Sequence, residues 1–174
     1  YLSTELLMKF IQKSKKLYLN LSVVLFIFFL DRISKIYVMH ISQNNFGYEL
    51  FSSKYLNIFP IWNRGISFGL LSFEEKNIYN LLSILILTII VILIVMTVKS
   101  HGLKRFCFLI IVGGALGNLY DRIKFNGVID FIDFHVGNFH WFIFNVSDIF
   151  ITLGIIGMIL MEIFSKNKRE DEKN

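Results

Sequence analysis

The stretch from about Ile78 to Val98 carries no charged residue. A hydrocarbon core of about 30 Å is crossed by roughly 20 apolar helical residues, so this run has the length and composition of a membrane span. A helix that is hydrophobic all round has no polar face to turn to water. Three further runs share this character. They lie at about 17–38, broken by Asp31, Arg32 and Lys35, at about 106–121, and at about 144–164. The whole chain is 55% hydrophobic and 18% charged, against about 25% charge in an ordinary soluble domain. The expected fold is a membrane all-α bundle of four transmembrane helices, forming one domain over residues 1–174.

Charge placement sets the expected orientation. Lys9, Lys13, Lys15 and Lys16 precede the first run. Lys99, Lys104 and Arg105 lie between the second and third, and Lys166, Lys168 and Arg169 follow the fourth. The positive-inside rule then places both termini in the cytoplasm, with the 166–174 tail charged and frayed, and the segments at about 40–76 and 122–143 outside. The net charge of +5 is accounted for this way, and nucleic acid is not an expected partner. The first run imitates a secretory signal but ends in DRISK rather than in a small-residue cleavage site, so it reads as a retained helix. The first Met is at position 8, and residues 1–7 carry no weight in this reading. Cys107, the one cysteine, reads as a small buried hydrophobe. The first outside segment mixes aromatics and β-formers around Pro60, the only proline. A small surface sheet is expected there, followed by an interfacial turn or short helix, with Phe59, Trp62 and Phe68 suited to the headgroup region.

This topology gathers polar groups at one depth. Asp31 lies about 21 Å along an outward-running helix. Asn118, Asp121 and Arg122 end the third helix, Asn145 and Asp148 begin the fourth, and Asn63, Asp130 and Asp133 lie on outside segments. All fall near the outer boundary, where ionisable groups are costly and tend to mark function. Gly113 and Gly117 form a G-x-x-x-G that would let the third helix press on a neighbour and hold Asn118.

Several chemistries remain open at this point. Two neighbouring aspartates do not both ionise cheaply, so one keeps a proton while the other activates water. Asp130 and Asp148 are the best-placed pair. The ordinary reading of Asp148 is a first-turn aspartate, with Asn145 as the N-cap. For Asp121–Arg122 it is a surface charge pair. In an extended VIDFIDFH, Asp130 and Asp133 point to opposite faces. GISFG (65–69) matches G-x-S-x-G, but a serine nucleophile needs an elbow and a histidine base. Asp130, Asp133, His135 and His140 suggest zinc, but no His-Glu-x-x-His pattern is present. A non-enzymatic transporter or proton-linked subunit would spread acids through the membrane depth. Within the apolar runs, Glu162, near the cytoplasmic end of the fourth, is the one acid away from the outer boundary.

DRISKIYV (31–38), NRGISFG (63–69), GGALGNLYDR (113–122), GVIDFIDFH (127–135) and FNVSDIFITLG (144–154) occur in an order that resembles bacterial lipoprotein signal peptidase (signal peptidase II), a family of intramembrane aspartic peptidases. The resemblance spans nearly the whole chain. It implies a four-helix membrane enzyme with a small extracytoplasmic β-cradle. It also implies removal of the signal peptide from diacylglyceryl-modified prolipoproteins, cut before the lipidated cysteine. Catalytic roles fall on Asp130 and Asp148, and supporting or substrate-binding roles on Asp31, Asn63, Asn118, Arg122 and Asn145. Asp121, Gly113 and Gly117 are expected to be structural. No metal or other cofactor is implied. Membrane lipid is an expected partner, a monomer the expected state, and the bacterial cytoplasmic membrane the expected location, with the site near the outer face. The chain departs from the family where small, alanine-like residues are usual: it has Ile66 and Ser67, and Ser147 in place of alanine.

Overall fold

The computed structural model describes residues 2–44, 49–65 and 76–171. The ten residues at 66–75, with Ser67, Phe68 and the expected interfacial turn, lie outside the described residues. The order is α1 (Leu2–Asn44), β1 (Phe51–Ser52), β2 (Leu56–Asn63), α2 (Lys76–Lys99), α3 (Gly102–Phe125), β3 (Val128–Val136), β4 (Phe139–Phe144) and α4 (Val146–Asp171).

Each helix reaches beyond its apolar run. α1 meets no glycine or proline before Gly47, so nothing breaks it on either side of the apolar stretch. α4 continues as helix through the basic tail to Asp171, where a frayed tail was expected. α3 ends because Asn126 takes a left-handed conformation (φ 52°) and returns its N–H to the Arg122 carbonyl at 3.1 Å. Asparagine tolerates this C-cap geometry.

Among the described residues, three helices are long and apolar enough to cross a membrane: Asn80–Lys99, Gly102–Phe125 and Val146–Ser165. The apolar run of α1 is the one that carries Asp31, Arg32 and Lys35. Of the most apolar stretch of α3, 78% is buried inside the protein, against 11% for those of α2 and α4. α3 is therefore the central helix, and α2 presents leucines and isoleucines outward. Glycines allow this packing. A Cβ on Gly113 would lie 2.9 Å from Ile27 Cβ, one on Gly114 2.6 Å from the Ser147 carbonyl, and one on Gly117 2.6 Å from Asp31 Oδ2.

The helices carry a small antiparallel sheet, as expected, but it draws on both outside segments rather than on the first alone. It has four antiparallel strands in the order β1-β2-β3-β4. Only β1 and β2 come from the first outside segment. β3 and β4 form a hairpin from the second, turning at Gly137 (φ 59°), a conformation that favours glycine. β2 slips register between Ile58 and Ile61. Pro60 falls in this irregularity, past the two-residue β1, where its missing N–H costs no ladder bond. Val38 from α1 packs with Ile129 and Phe131 of β3, fixing the sheet to one end of the bundle.

Gly117→Ala is expected to destabilise the fold by about 1–3 kcal/mol, since the new methyl must displace Asp31 from a filled seam. Thermal unfolding in detergent checks this, and an unchanged midpoint would mean that the seam has room.

Candidate active site

At the sheet end of the bundle, Asp130 of β3 and Asp148 of α4 stand next to each other through Asn145. Val146 begins α4, so Asn145 is the N-cap and Asp148 the third helical residue. Asn145 Oδ1 accepts the Asp148 N–H at 3.1 Å, and Asp148 Oδ2 accepts the Asn145 N–H at 3.1 Å. This reciprocal arrangement is a capping box. Asn145 Nδ2 meanwhile donates to Asp130 Oδ1 at 2.6 Å. The capping reading and the paired-carboxylate reading thus describe the same atoms.

Two more amides complete the ring. Asn63 Nδ2 donates to Asp130 Oδ2 at 2.9 Å, while its Oδ1 accepts the Gly65 N–H at 3.0 Å. The register explains its reach: Ile61 pairs with Asp130, and Asn63 follows two residues later on the same face. Asn118 Nδ2 donates to Asp148 Oδ1 at 2.8 Å, and its Oδ1 accepts from Lys35 Nζ at 3.0 Å. Each carboxylate therefore receives two hydrogen bonds from fixed donors.

Beneath the amides lies a layer of four buried charges. Lys35, 1% exposed, pairs with Asp31 Oδ2 at 3.0 Å and Asp121 Oδ2 at 2.8 Å. With the Asn118 hydrogen bond, its ammonium has three oxygen neighbours within 3.0 Å. Arg32 pairs with Asp31 at 2.8 Å and also with Asp121. Asp31 Oδ1 accepts the Ser147 N–H at 3.0 Å. The two acids and two bases sum to zero charge, which is how such groups tolerate burial. Asp121 is therefore not a surface charge: it is fully buried and paired with α1 rather than with Arg122. Asp31 likewise is wholly enclosed. Arg122 is buried and donates to the Gly65 and Asn118 carbonyls, each at 3.4 Å. It ties the end of β2 to α3.

Sequence reasoning treated Lys35 and Arg32 as interruptions of an apolar run. The signal that would have found Lys35 is its spacing. It lies four residues after Asp31, on the same helical face, in a stretch where an unpaired lysine would be costly. Asp133 is held apart from the pair, by Asn57 and His140. Ser67 lies outside the described residues.

Burial raises the Asp130 carboxyl to about 6, and the Asp148 charge adds to the effect. The Asn63 and Asn145 hydrogen bonds oppose it. Removing a carboxyl from water disfavours its charged form. Its proton is held more tightly folded than unfolded. The stability this gives is present below an ordinary aspartate value of about 4 and is lost as pH rises through about 6.

Comparison with known proteins decides the family. The family model described as Signal peptidase (SPase) II matches residues 23–164. The chain belongs to the signal peptidase II family. A lipoprotein signal peptidase of Pelagibacter ubique (strain HTCC1062) is 46% identical over 160 residues, covering 92% of this chain and 96% of the relative. One from Anaplasma phagocytophilum (strain HZ) is 39% identical over 142 residues, 80% of this chain and 88% of the relative. A solved bacterial membrane enzyme, at 2.3 Å resolution, shares the fold with a TM-score of 0.70 at 24% identity, over 86% of this chain and 90% of its own. Signal peptidase II is a peptidase, and the family consists of bacterial membrane enzymes.

Lys35→Met is expected to cost about 3–5 kcal/mol, because it leaves Asp31 and Asp121 with one cation between them. Denaturant or thermal unfolding in detergent measures this, and a loss below about 1 kcal/mol would exclude a central role for the cluster.

Proposed function

We propose that the chain is an aspartic endopeptidase. It removes the signal peptide from diacylglyceryl-modified prolipoproteins by cutting before the lipidated cysteine, with Asp130 and Asp148 as the catalytic pair. The observation that carries this reading is the two carboxylates bridged by one asparagine at a single end of a membrane bundle. The lipoprotein substrate comes from the relatives' names.

The pair holds one proton between its two members. The ionised carboxylate takes a proton from water as the water oxygen attacks the scissile carbonyl carbon. The protonated carboxyl donates to the carbonyl oxygen. The resulting tetrahedral diol collapses: one of its hydroxyls returns its proton to the ionised carboxylate as the C=O re-forms, the C–N bond breaks, and the protonated carboxyl gives its proton to the leaving cysteine amine. The pair is then ready for another cycle. Asn63, Asn118 and Asn145 fix the four carboxylate oxygens, so little reorganisation is needed during the reaction. Asp31, Asp121, Arg32 and Lys35 position Asn118 and the start of α4. No step requires a metal.

The basic residues at the ends of the helices away from the sheet support an orientation with both termini in the cytoplasm. All four helices cross the cytoplasmic membrane, and the sheet and the pair lie at its outer face. There a monomer meets a substrate anchored by its own lipid.

Cleavage of a diacylglyceryl-prolipoprotein in detergent tests the mechanism. Asp130→Asn and Asp148→Asn should each reduce turnover by about 100-fold or more while remaining folded. Ser67→Ala and chelator-treated wild type should keep cutting. Near-normal turnover in either aspartate variant would refute the pair. Loss in Ser67→Ala or with chelator would redirect the assignment to serine or metal chemistry.

The pH profile gives a second test. Turnover should fall as pH rises through about 6, when the shared proton is lost from the pair. Asn63→Ala removes a hydrogen bond that favours ionised Asp130, so its alkaline limb should move to higher pH. A shift to lower pH contradicts the arrangement.

A further inference from the structure

Away from the aspartate pair, β3 and β4 bring Asp133, His135 and His140 together. Asp133 and His135 are two residues apart on β3, and His135 pairs across the hairpin with His140 of β4. One potential ligand atom from each of the three lies within 4.8 Å of the other two. The Nδ1 atoms of His140 and His135 stand 2.8 and 3.8 Å from Asp133 Oδ2. Zinc–ligand bonds of about 2.0–2.1 Å in a tetrahedron put ligand atoms roughly 3.4 Å apart, a value these two distances bracket.

Three observations point to a cation. The Asp133 carboxylate is 0% exposed, and among the described residues its ion-pair partners are the two imidazoles, with no lysine or arginine. Imidazoles, unlike lysine or arginine, give a buried carboxylate no fixed compensating charge. His135, whose side chain is 10% exposed, has a buried Nδ1 with no hydrogen-bond partner, a lone pair or proton left without a use. Asn57 Nδ2 of β2 donates to Asp133 Oδ2 at 3.3 Å, the kind of outer contact that orients a ligating carboxylate. His140, with its side chain 53% exposed, leaves a path for the ion and for water in a fourth position.

We propose that Asp133, His135 and His140 bind a divalent first-row transition ion, with Zn²⁺ the best match to two imidazole nitrogens and one carboxylate oxygen. The ion takes no part in peptide cleavage. It cross-links β3 to β4, and through Asn57 its carboxylate ligand is held to β2, so it stiffens the strand that carries Asp130 three residues away.

The test is titration of tag-free, chelator-stripped full chain in detergent with ZnCl₂, read by competition with a chromophoric chelator and by thermal unfolding. Wild type should bind one Zn²⁺ per chain and unfold at a higher temperature with it. His135→Gln and His140→Gln should each weaken binding by more than about tenfold, and Asn57→Ala by about 10–100-fold. His40→Gln and His101→Gln should bind as wild type does. His140→Gln alters a half-exposed side chain, so its effect is readable even if Asp133→Asn fails to fold. Absence of saturable binding to wild type, or undiminished binding to the His135→Gln/His140→Gln double variant, would overturn the proposal.

Discussion

The structure depends on a neutral cluster of four charges between two helices. Asp31, Arg32 and Lys35 of α1 meet Asp121 of α3 in a buried seam, with Arg32 the most exposed of the four. Such a cluster adds little net stability compared with well-packed apolar residues, but it tolerates few other alignments. Sliding α1 along α3 would leave acids and bases unmatched in a low-dielectric interior. Register is fixed by charge, and closeness by Gly113 and Gly117, because α1 carries its polar groups to a backbone with no side chain in the way. From this seam Lys35 reaches Asn118 and Asp31 reaches the first turn of α4, so the cluster also orients the groups above it.

Much of this was legible in the sequence because a membrane chain has few polar residues to place. Apolar length located the helices, and counting along them put Asp31, Asn118 and Asn145 at one level. Alternation along VIDFIDFH separated Asp130 from Asp133. Pairing was not legible. Asp121 and Arg122 are adjacent in sequence and read as a pair, yet a 100° step per helical residue sends Asp121 to α1, while Arg122 reaches the Gly65 carbonyl. The sheet was half-missed for a similar reason. β3 owes half of its pairing to β2, a strand distant in the chain that local composition does not report, whereas the Gly137-Asn138 turn into β4 is a local hairpin signal.

The amides also explain how Asn145 caps a helix and stands beside the carboxylate pair at once. The N-terminus of α4 has orphan N–H groups that call for a cap, and an asparagine side chain offers an acceptor for that task with a donor left over. In this chain the leftover donor is Asn145 Nδ2, and it goes to Asp130. A serine or aspartate would cap as well but has no amide N–H₂ to offer a second carboxylate.

That double use of Asn145 makes the start of a helix and the assembly of the carboxylate pair one cooperative event. Swinging a surface loop aside would change access to the pair without taking it apart. Unwinding the first turn of α4 would break the hydrogen bonds that hold the pair and release the Ser147 N–H from Asp31. The closeness of the two aspartates is thereby tied to the same hydrogen bonds that begin a helix of the bundle.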